Sequence, residues 1–403
     1  MRPRLLPSVV VLLTALAGCG GGGGDNAPRD NGPVLGRATS TATPQGGDAT
    51  PQPAAQGAPV GFPIIATKNT TRVPGADPAS DAAAVAEAVY PALTPENRPQ
   101  AVVLADESDW RAAISAAQLM GRPLRAPILL ADGDTLPPVT AQALKDLAPT
   151  GAAKAGGAQV IRIGSVPKPD GLKSIEVGGG SSEAIARAID RLQSRAAGGA
   201  SDTVVVAPSS RAPLAMPTAS WAAKSGQPVL WAGKSTLPRD TVAAIRAHKR
   251  PRIYVVGSPE AISDGVLKQL RNLGAVKRIG TSDPVTNAIF LARYADGTFG
   301  WNVVDPGHGL VFANASRTAD AAAAAALSGA GTYGPLLLVS EASALPKDVQ
   351  DYLLDIQPGY DKDPVRGVYN HGWLVGDESA ISADVQSRID ALLEIQPVDT
   401  GGA

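Results

Sequence analysis

The sequence is poor in cysteine and aromatic residues and has no excess of charge of either sign. Cys19 is the only cysteine among 403 residues, which excludes an intramolecular disulfide and a multi-cysteine metal site. Aromatic residues make up 4%, so the cores must be built from Ala, Val, Ile and Leu. Lys and Arg number 36 against 37 Asp and Glu, without the basic excess that is typical of nucleic-acid-binding proteins.

The amino terminus has the pattern of an export signal. Two arginines within the first four residues precede the apolar run 5–17, which is too short to span a bilayer. The run leads into LAGC, closing at Cys19, which resembles the lipobox of bacterial lipoproteins. The resemblance implies a signal peptide over residues 1–18, cleavage before Cys19, and a membrane anchor of palmitate or a similar lipid on that cysteine. A simple signal peptide that happens to contain a cysteine is the alternative.

A tether without a core is predicted after the cysteine. Residues 19–63 are rich in Gly, Pro, Thr, Ala and Gln and contain few large apolar side chains. Such a composition cannot bury enough surface to offset the entropy of ordering, so we expect disorder. Folded sequence is expected from 64 to 395, followed by a short tail, 396–403.

One phrase occurs three times in the folded span, as PILLADGDTLP, PVLWAGKSTLP and PLLLVSEASALP. The copies are about 100 residues apart, a spacing that suits a small domain used three times. In each copy a strand-like run and an Ala-rich helix precede the phrase, and a helix and a strand ending in Gly follow it. We expect the apolar residues of this repeat motif to form buried strands: Pro127, Ile128, Leu129, Leu130, Pro228, Val229, Leu230, Pro335, Leu336, Leu337 and Leu338.

Each unit also opens with a strand and a helix that has one apolar stripe, as in Ala82, Val85, Ala86 and Val89. Continuous apolar strands indicate sheets that are covered on both faces, and therefore mainly parallel sheets. The predicted fold class is α/β, with three tandem small domains built from β-α-β-α-β-α-β units. Their expected boundaries are 64–170, 171–275 and 276–395.

The threefold pattern resembles the cell wall-binding repeat 2 family, whose modules occur in threes in surface proteins of Gram-positive bacteria. The opening R-[I/V]-x-G signature is matched at Arg72 and, without the spacer residue, at Arg278. The late glycine and serine of the family are matched by Gly257 with Ser263 and Gly376 with Ser382. The sequence departs from the family in unit 2, which has Glu176 in place of the opening arginine, and in the second helix, whose Asp-Ala start survives only as Asp320-Ala321.

The resemblance implies a pseudo-threefold arrangement of the modules and non-covalent attachment to anionic glycopolymers of the cell wall. The candidate ligand-binding residues are Arg72, Arg278, Asp77 and Asp283. Arginine presents a fork of donors to phosphate or carboxylate, and the two Asp-Pro pairs mark helix starts, where backbone N–H groups attract anions. For both arginines, a solvated charge and an ion pair between modules are the alternatives. We expect the clefts near the carboxyl ends of the strands.

No motif predicts catalysis, a metal or a cofactor. The run from Trp231 to Thr236 looks like a phosphate-binding loop but has Pro228 where that loop needs its first glycine. The three histidines lack the spacing of a zinc protease. The insertion 357–371 is either a recognition loop or a packing loop. We therefore expect a protein that is not an enzyme, has no metal and has no nucleic-acid partner.

The predicted function is that of a lipoprotein outside the cytoplasm, anchored to the cell membrane and bound to anionic polymers of the wall. The main alternative is a solute-binding lipoprotein of a transport system, which would be built from two unequal lobes rather than three like units. A purely structural envelope protein is the third possibility.

Overall fold

Short apolar runs become the strands of three mainly parallel sheets in the computed structural model, which describes residues 65–398. The predicted signal peptide, Cys19 and the predicted tether lie outside these residues. The first unit contains β1 (Ile65–Ala66), β2 (Thr70–Val73), α1 (Pro78–Val89), β3 (Val102–Asp106), α2 (Trp110–Ala116), β4 (Ile128–Ala131), α3 (Pro138–Leu147) and β5 (Val160–Ile163). Short 3₁₀ helices lie at Pro95–Asn97, Ala117–Met120 and Ala153–Ala155.

The second and third units repeat this order of elements. The second contains β6 (Ser174–Val177), α4 (Ser182–Ala197), β7 (Thr203–Pro208), α5 (Ala212–Ala215), α6 (Pro217–Ser225), β8 (Val229–Ala232), α7 (Arg239–Ala247), β9 (Arg252–Val256) and α8 (Asp264–Arg271). The third contains β10 (Ala275–Ile279), α9 (Pro284–Arg293), β11 (Gly309–Asn314), α10 (Asp320–Ala323), α11 (Ala325–Ala330), β12 (Leu336–Val339), α12 (Lys347–Asp355), β13 (Gly359–Tyr360), β14 (His371–Val375), α13 (Ala383–Leu393) and β15 (Gln396–Pro397).

The predicted fold class is confirmed. The first sheet has the order β4-β3-β5-β6, and the second has the equivalent order β8-β7-β9-β10. The third runs β12-β11-β14-β2, with β1 added antiparallel at its edge; all other pairs in the three sheets are parallel. A separate two-stranded sheet joins β13 and β15.

The strand that opens each unit pairs with the sheet of the unit before it. β6 pairs with β5 and β10 pairs with β9. The expected boundary at 170 therefore comes just before a strand of the preceding sheet, and the one at 275 falls at the first residue of such a strand. No unit precedes the first one within residues 65–398, and its opening strand β2 pairs with β14 of the third unit. The described chain is therefore closed into a ring by its own first long strand.

The repeated phrase forms β4, β8 and β12, each at the edge of its sheet. Its apolar side chains are buried, because α1 packs on β4, α4 on β8 and α9 on β12. The following helices begin directly after the last residue of the phrase, since Pro137, Pro238 and Pro346 are their N-cap residues.

The three units meet through their Ala-rich second helices. The 3₁₀ helix Ala117–Met120, α6 and α11 pack against one another, and small side chains allow their backbones to come close. A Cβ atom added at Gly121 would lie 2.4 Å from the Cα atom of Gly226, so no larger residue fits at this contact. Among residues 65–398, no helix is both long and apolar enough to cross a membrane.

Candidate binding face at the carboxyl ends of the strands

Arg72 is buried, with 1% of its surface exposed, and holds together loops of the third sheet. Its Nη1 donates to the carbonyl oxygens of Gly376, at 2.8 Å, and Asp377, at 3.0 Å. Its Nε donates to Oε1 of Gln386 at 2.8 Å. Burial lowers the pKa of Arg72, and nearby carboxylates such as Asp377 oppose that shift. The guanidinium therefore fastens β2 to the loop after β14 and to the start of α13.

Arg278 occupies the equivalent place in the second sheet. Its guanidinium donates to the carbonyl oxygens of Gly257, at 2.9 Å, and Ile262, at 2.6 Å. A further bond of 3.1 Å reaches Oδ1 of Asp264. Gly257 has a φ of 93°, a conformation that glycine adopts at low cost, and this turn aims its carbonyl at the arginine. The side chain of Arg278 is 19% exposed, so water reaches it, unlike Arg72.

In the first sheet the arginine is supplied by the neighbouring strand. Glu176 has the position of Arg72 and Arg278, and it pairs in register with Arg162 of β5. Nη2 of Arg162 lies 2.8 Å from Oε2 of Glu176, and its Nη1 donates to the carbonyl oxygen of Val166 at 2.9 Å. Arg162, two residues before Gly164, was the sequence signal that the arginine lies on β5 instead of β6, and the family motifs did not include it.

Asp77 and Asp283 are N-cap residues of α1 and α9. Asp77 accepts a hydrogen bond from the backbone N–H of Ser80 at 2.8 Å, and Asp283 accepts one from Thr286 at 2.9 Å. Ser181 caps α4 in the same way. Both aspartates are exposed, so they lie on the solvent side of the face. The structure does not bring them into contact with either candidate arginine.

The seam between the third unit and α1, which we call the closing seam, contains a buried charge cluster. It consists of Asp81, Asp320 and Arg317. Both carboxylates have 0% of their side chains exposed. Nη2 of Arg317 contacts Asp81, and its Nε lies 2.8 Å from Oδ2 of Asp320. Asp81 also accepts from the backbone N–H of Gly75 at 2.9 Å. The sequence analysis identified Asp320 through the Asp-Ala start of the family's second helix, but it did not identify Arg317 or Asp81.

Two carboxylates share one cation in this cluster. Burial and the charge of Asp320 raise the pKa of Asp81, while Arg317 lowers it. Burial likewise raises the pKa of Asp320, again opposed by Arg317. Burial thus shifts both carboxyl groups toward their protonated forms, and the charge on Arg317 limits that shift.

The other two seams contain different groups at this location, and only one of them has charged side chains. Between the first and second units, Oγ of Ser182 donates to the carboxylate of Asp109 at 2.9 Å and accepts from Arg111 at 3.2 Å. Between the second and third units, Asn287 takes the place of Asp81. It accepts from the backbone N–H of Thr281 at 3.0 Å and donates to the carbonyl of Leu214 at 3.0 Å. The three seams thus share a location and differ in charge.

The insertion 357–371 packs against the unit that carries it. Oδ1 of Asn370 accepts from the backbone N–H groups of Gly307, at 2.8 Å, and His308, at 3.0 Å, and its Nδ2 donates to the carbonyl of Ile356 at 2.7 Å. Exposed apolar side chains, such as Val365, remain on its outer side. Within the part of the chain that the structure describes, no group of three or more His, Cys, Asp or Glu residues could hold a metal ion.

Comparison with known proteins identifies the third unit. The family model for Cell wall binding domain 2 (CWB2) matches residues 278–386. This part of the chain is a member of the CWB2 family. The match begins within β10 and ends at Gln386, whose side chain receives the bond from Arg72. The CWB2 segment therefore obtains the fourth strand of its sheet from residues 70–73.

Two solved structures share the fold over most of the chain. Cwp6 from Clostridium difficile is similar with a TM-score of 0.63 and 19% identity, covering 81% of this chain and 48% of that one. Cwp8 from Clostridium difficile is similar with a TM-score of 0.60 and 16% identity, covering 81% of this chain and 52% of that one. The similarity thus involves about half the length of these proteins. No curated protein matches the chain.

Proposed function

We propose that the protein is a lipoprotein outside the cytoplasm that is anchored to the membrane through Cys19 and binds anionic polymers of the cell wall non-covalently. The observation that carries the proposal is the CWB2 match of residues 278–386 in a chain whose other two sheets repeat the same topology. The LAGC sequence at the end of the export signal supports the anchor.

Three linked modules suit a repeating polymer. Once one module is bound, the others meet the next polymer units at high effective concentration, so weak single sites give a strong attachment. The chain has three like sheets rather than two unequal lobes, which favours this function over solute binding for a transporter. We infer a binding role without catalysis.

The four candidate ligand residues stabilise the binding face, and their polar groups are largely occupied by hydrogen bonds within the protein. Arg72 and Arg278 hold the loops, and Asp77 and Asp283 cap the helices. We infer that exposed cations following the strands of the second unit, at Arg211 and Lys234, contact the polymer directly.

The test is co-sedimentation of residues 55–403, which include the whole compact folded unit, with purified cell wall. We expect binding that weakens at high salt and disappears after the anionic polymers are removed from the wall. Absence of binding to untreated wall would overturn the proposal. Equal binding before and after removal would retain wall binding and reject the anionic polymer as its ligand.

A further inference from the structure

Aromatic residues are concentrated at one place beside the second sheet, although they form only 4% of the sequence. The rings of Tyr254 and Phe299 stack with centroids 4.5 Å apart, and Trp221 lies 4.7 Å from Phe299. Tyr294 approaches Tyr254 at 6.5 Å. This cluster fixes the hairpin-like segment 294–301, which follows α9, against β9 and β10.

A pocket of about 270 Å³ opens between that segment and the sheet. Register pairs Arg252 with Ala275 and Tyr254 with Lys277, so these four residues lie side by side on one face of the sheet. Asp296 and Thr298 of the segment complete the lining. The pocket lies at the amino-terminal ends of β9 and β10, whereas the binding face described above lies at the carboxyl ends.

Asp296 is already saturated with donors. Its carboxylate accepts from the hydroxyl of Tyr254 at 2.9 Å, from that of Tyr294 at 2.7 Å, and from the backbone N–H groups of Thr298 and Phe299, each at 3.2 Å. Although burial opposes it, these hydrogen bonds hold the pKa of Asp296 well below its usual range. The carboxylate therefore stays charged and has little capacity left to accept from a ligand hydroxyl.

The remaining groups of the pocket are donors. Lys277 and Arg252 are both exposed, and together they carry one more charge than Asp296 neutralises. Lys277 lies 3.3 Å from Oδ2 of Asp296, which positions its ammonium at the opening. Nη1 of Arg252 donates to Oγ1 of Thr298 at 2.6 Å, which orients the guanidinium. A ligand held by both side chains must be rich in acceptors and negatively charged.

The connection that completes the pocket is longest in the third unit. In the first unit the equivalent connection, from α1 to β3, covers residues 90–101. The segment that joins α9 to β11 covers residues 294–308, whereas the equivalent connection in the second unit, from α4 to β7, covers only residues 198–202. The longer connection supplies Asp296 and Thr298.

We propose that the pocket formed by Arg252, Lys277, Asp296 and Thr298 binds the carboxylate or phosphate group of a sugar unit, with the apolar start of β10 against the sugar ring. The proposal rests on the proposed function, because the wall polymer is the source of such units. It adds a site at the opposite ends of the strands from the face where the three seams lie.

The test is saturation-transfer NMR on residues 55–403 with glucuronate, glucose 6-phosphate and uncharged glucose as probes. The test variant is Arg252→Gln with Lys277→Gln. The matched control is Arg271→Gln with Lys268→Gln, which removes the same charges from the exposed side of α8. We expect one or both anionic probes to bind the wild type and the control, while the test variant binds about tenfold or more weakly and glucose does not bind.

The two anionic probes separate the two possible sources of the charge. Equal binding of an anionic probe to the wild type and the test variant would overturn the proposal, as would absence of binding by both anions. Wall sedimentation of the same variants runs in parallel. If the wild type bound the wall but neither probe, the pocket proposal would be rejected and the proposed function retained. If it bound a probe but not the wall, the proposed function would be rejected and the pocket proposal retained.

Discussion

His248 and Asp190 form a buried ion pair between α7 and α4, with Nε2 of the histidine 2.8 Å from Oδ2 of the aspartate. The other ring nitrogen, Nδ1, lies 2.7 Å from the carbonyl oxygen of Ser201. A carbonyl and a carboxylate are both acceptors, so this geometry favours an imidazolium with a proton on each ring nitrogen. Burial would lower the pKa of His248, but the hydrogen bond and charge of Asp190 outweigh burial and raise it.

This pair makes stability depend on pH. Because the folded pKa of His248 is raised, its stabilisation is complete below the pKa of an unfolded histidine, about 6.5, and is lost as pH rises through the folded value. His248→Leu leaves Asp190 buried without its partner and should cost about 3–5 kcal/mol at pH 6. The measurement is urea unfolding of wild type and variant from pH 6 to 9.

The difference in the free energy of unfolding between the wild type and His248→Leu reports on His248 alone, because Asp81 and Asp320 titrate in both proteins. We expect this difference to shrink as pH rises. The control is His308→Gln, which alters a partly exposed histidine paired with Asp305. A difference that is constant with pH would show that His248 is neutral in the folded protein.

Arg72→Met should destabilise the protein strongly. The change leaves the carbonyl oxygens of Gly376 and Asp377 and the amide of Gln386 without this donor, at a cost of roughly 3–5 kcal/mol. Arg278→Met should cost about 1–2 kcal/mol, because water can reach the groups that it leaves. Urea midpoints measure both. If both variants lost the same free energy of unfolding, the deeper burial of Arg72 would not contribute to stability.

Arg317→Ala should destabilise the closing seam in a pH-dependent way. Without the guanidinium, Asp81 and Asp320 lose their cation, and we expect a loss of about 3–5 kcal/mol at pH 8. At pH 5 more of both carboxyl groups is protonated, so the loss should be smaller. Thermal unfolding at the two pH values is the measurement. Arg211→Ala is the matched control, because Arg211 has the equivalent position after β7 and is exposed. A similar loss of stability in this control would contradict the stabilising role of the charge cluster.

Moving residues 65–94 behind residue 398 should preserve the fold. Asn69 donates its backbone N–H to Asp390 at 2.7 Å, so the opening strand already lies beside α13. A short Gly/Ser linker would place β2 after α13, just as β10 follows α8 in the second sheet. We expect cooperative unfolding with stability reduced by about 1–2 kcal/mol.

The control for this rearrangement is residues 95–398 alone. That protein lacks β2 and α1, so the third sheet has no fourth strand, and we expect it to aggregate or to unfold without cooperativity. If it were as stable as the complete chain, closure of the ring would have no energetic role.

The repeats and the class of fold could be predicted from the sequence because strand and helix patterns are local. The phrase at Pro127, Pro228 and Pro335 forms the expected strands, and Asp77 and Asp283 cap helices as their Asp-Pro pairs indicate. Pairing between strands is not local. Nothing within residues 70–73 shows that β2 pairs with a strand about 300 residues later rather than with its own unit.

The charged groups were harder to place for the same reason. The sequence around an arginine in a strand looks the same whether its side chain faces solvent or donates to buried carbonyl oxygens, as that of Arg72 does. The partners of Arg317 come from α1 and α10, which are more than 200 residues apart in sequence. Only the fold brings them together.

Closure of the ring also determines how the molecule carries mechanical load. A force applied to the chain before residue 65 enters through β1 and β2, whose parallel partner is β14 of the third unit. Tension therefore reaches the last unit first, and the bonds of Arg72 to Gly376 and Gln386 resist it together with the strand pairing. The two ends of the folded chain are coupled, so we expect the first rupture under force to be the separation of β2 from β14, with the first and second sheets still intact.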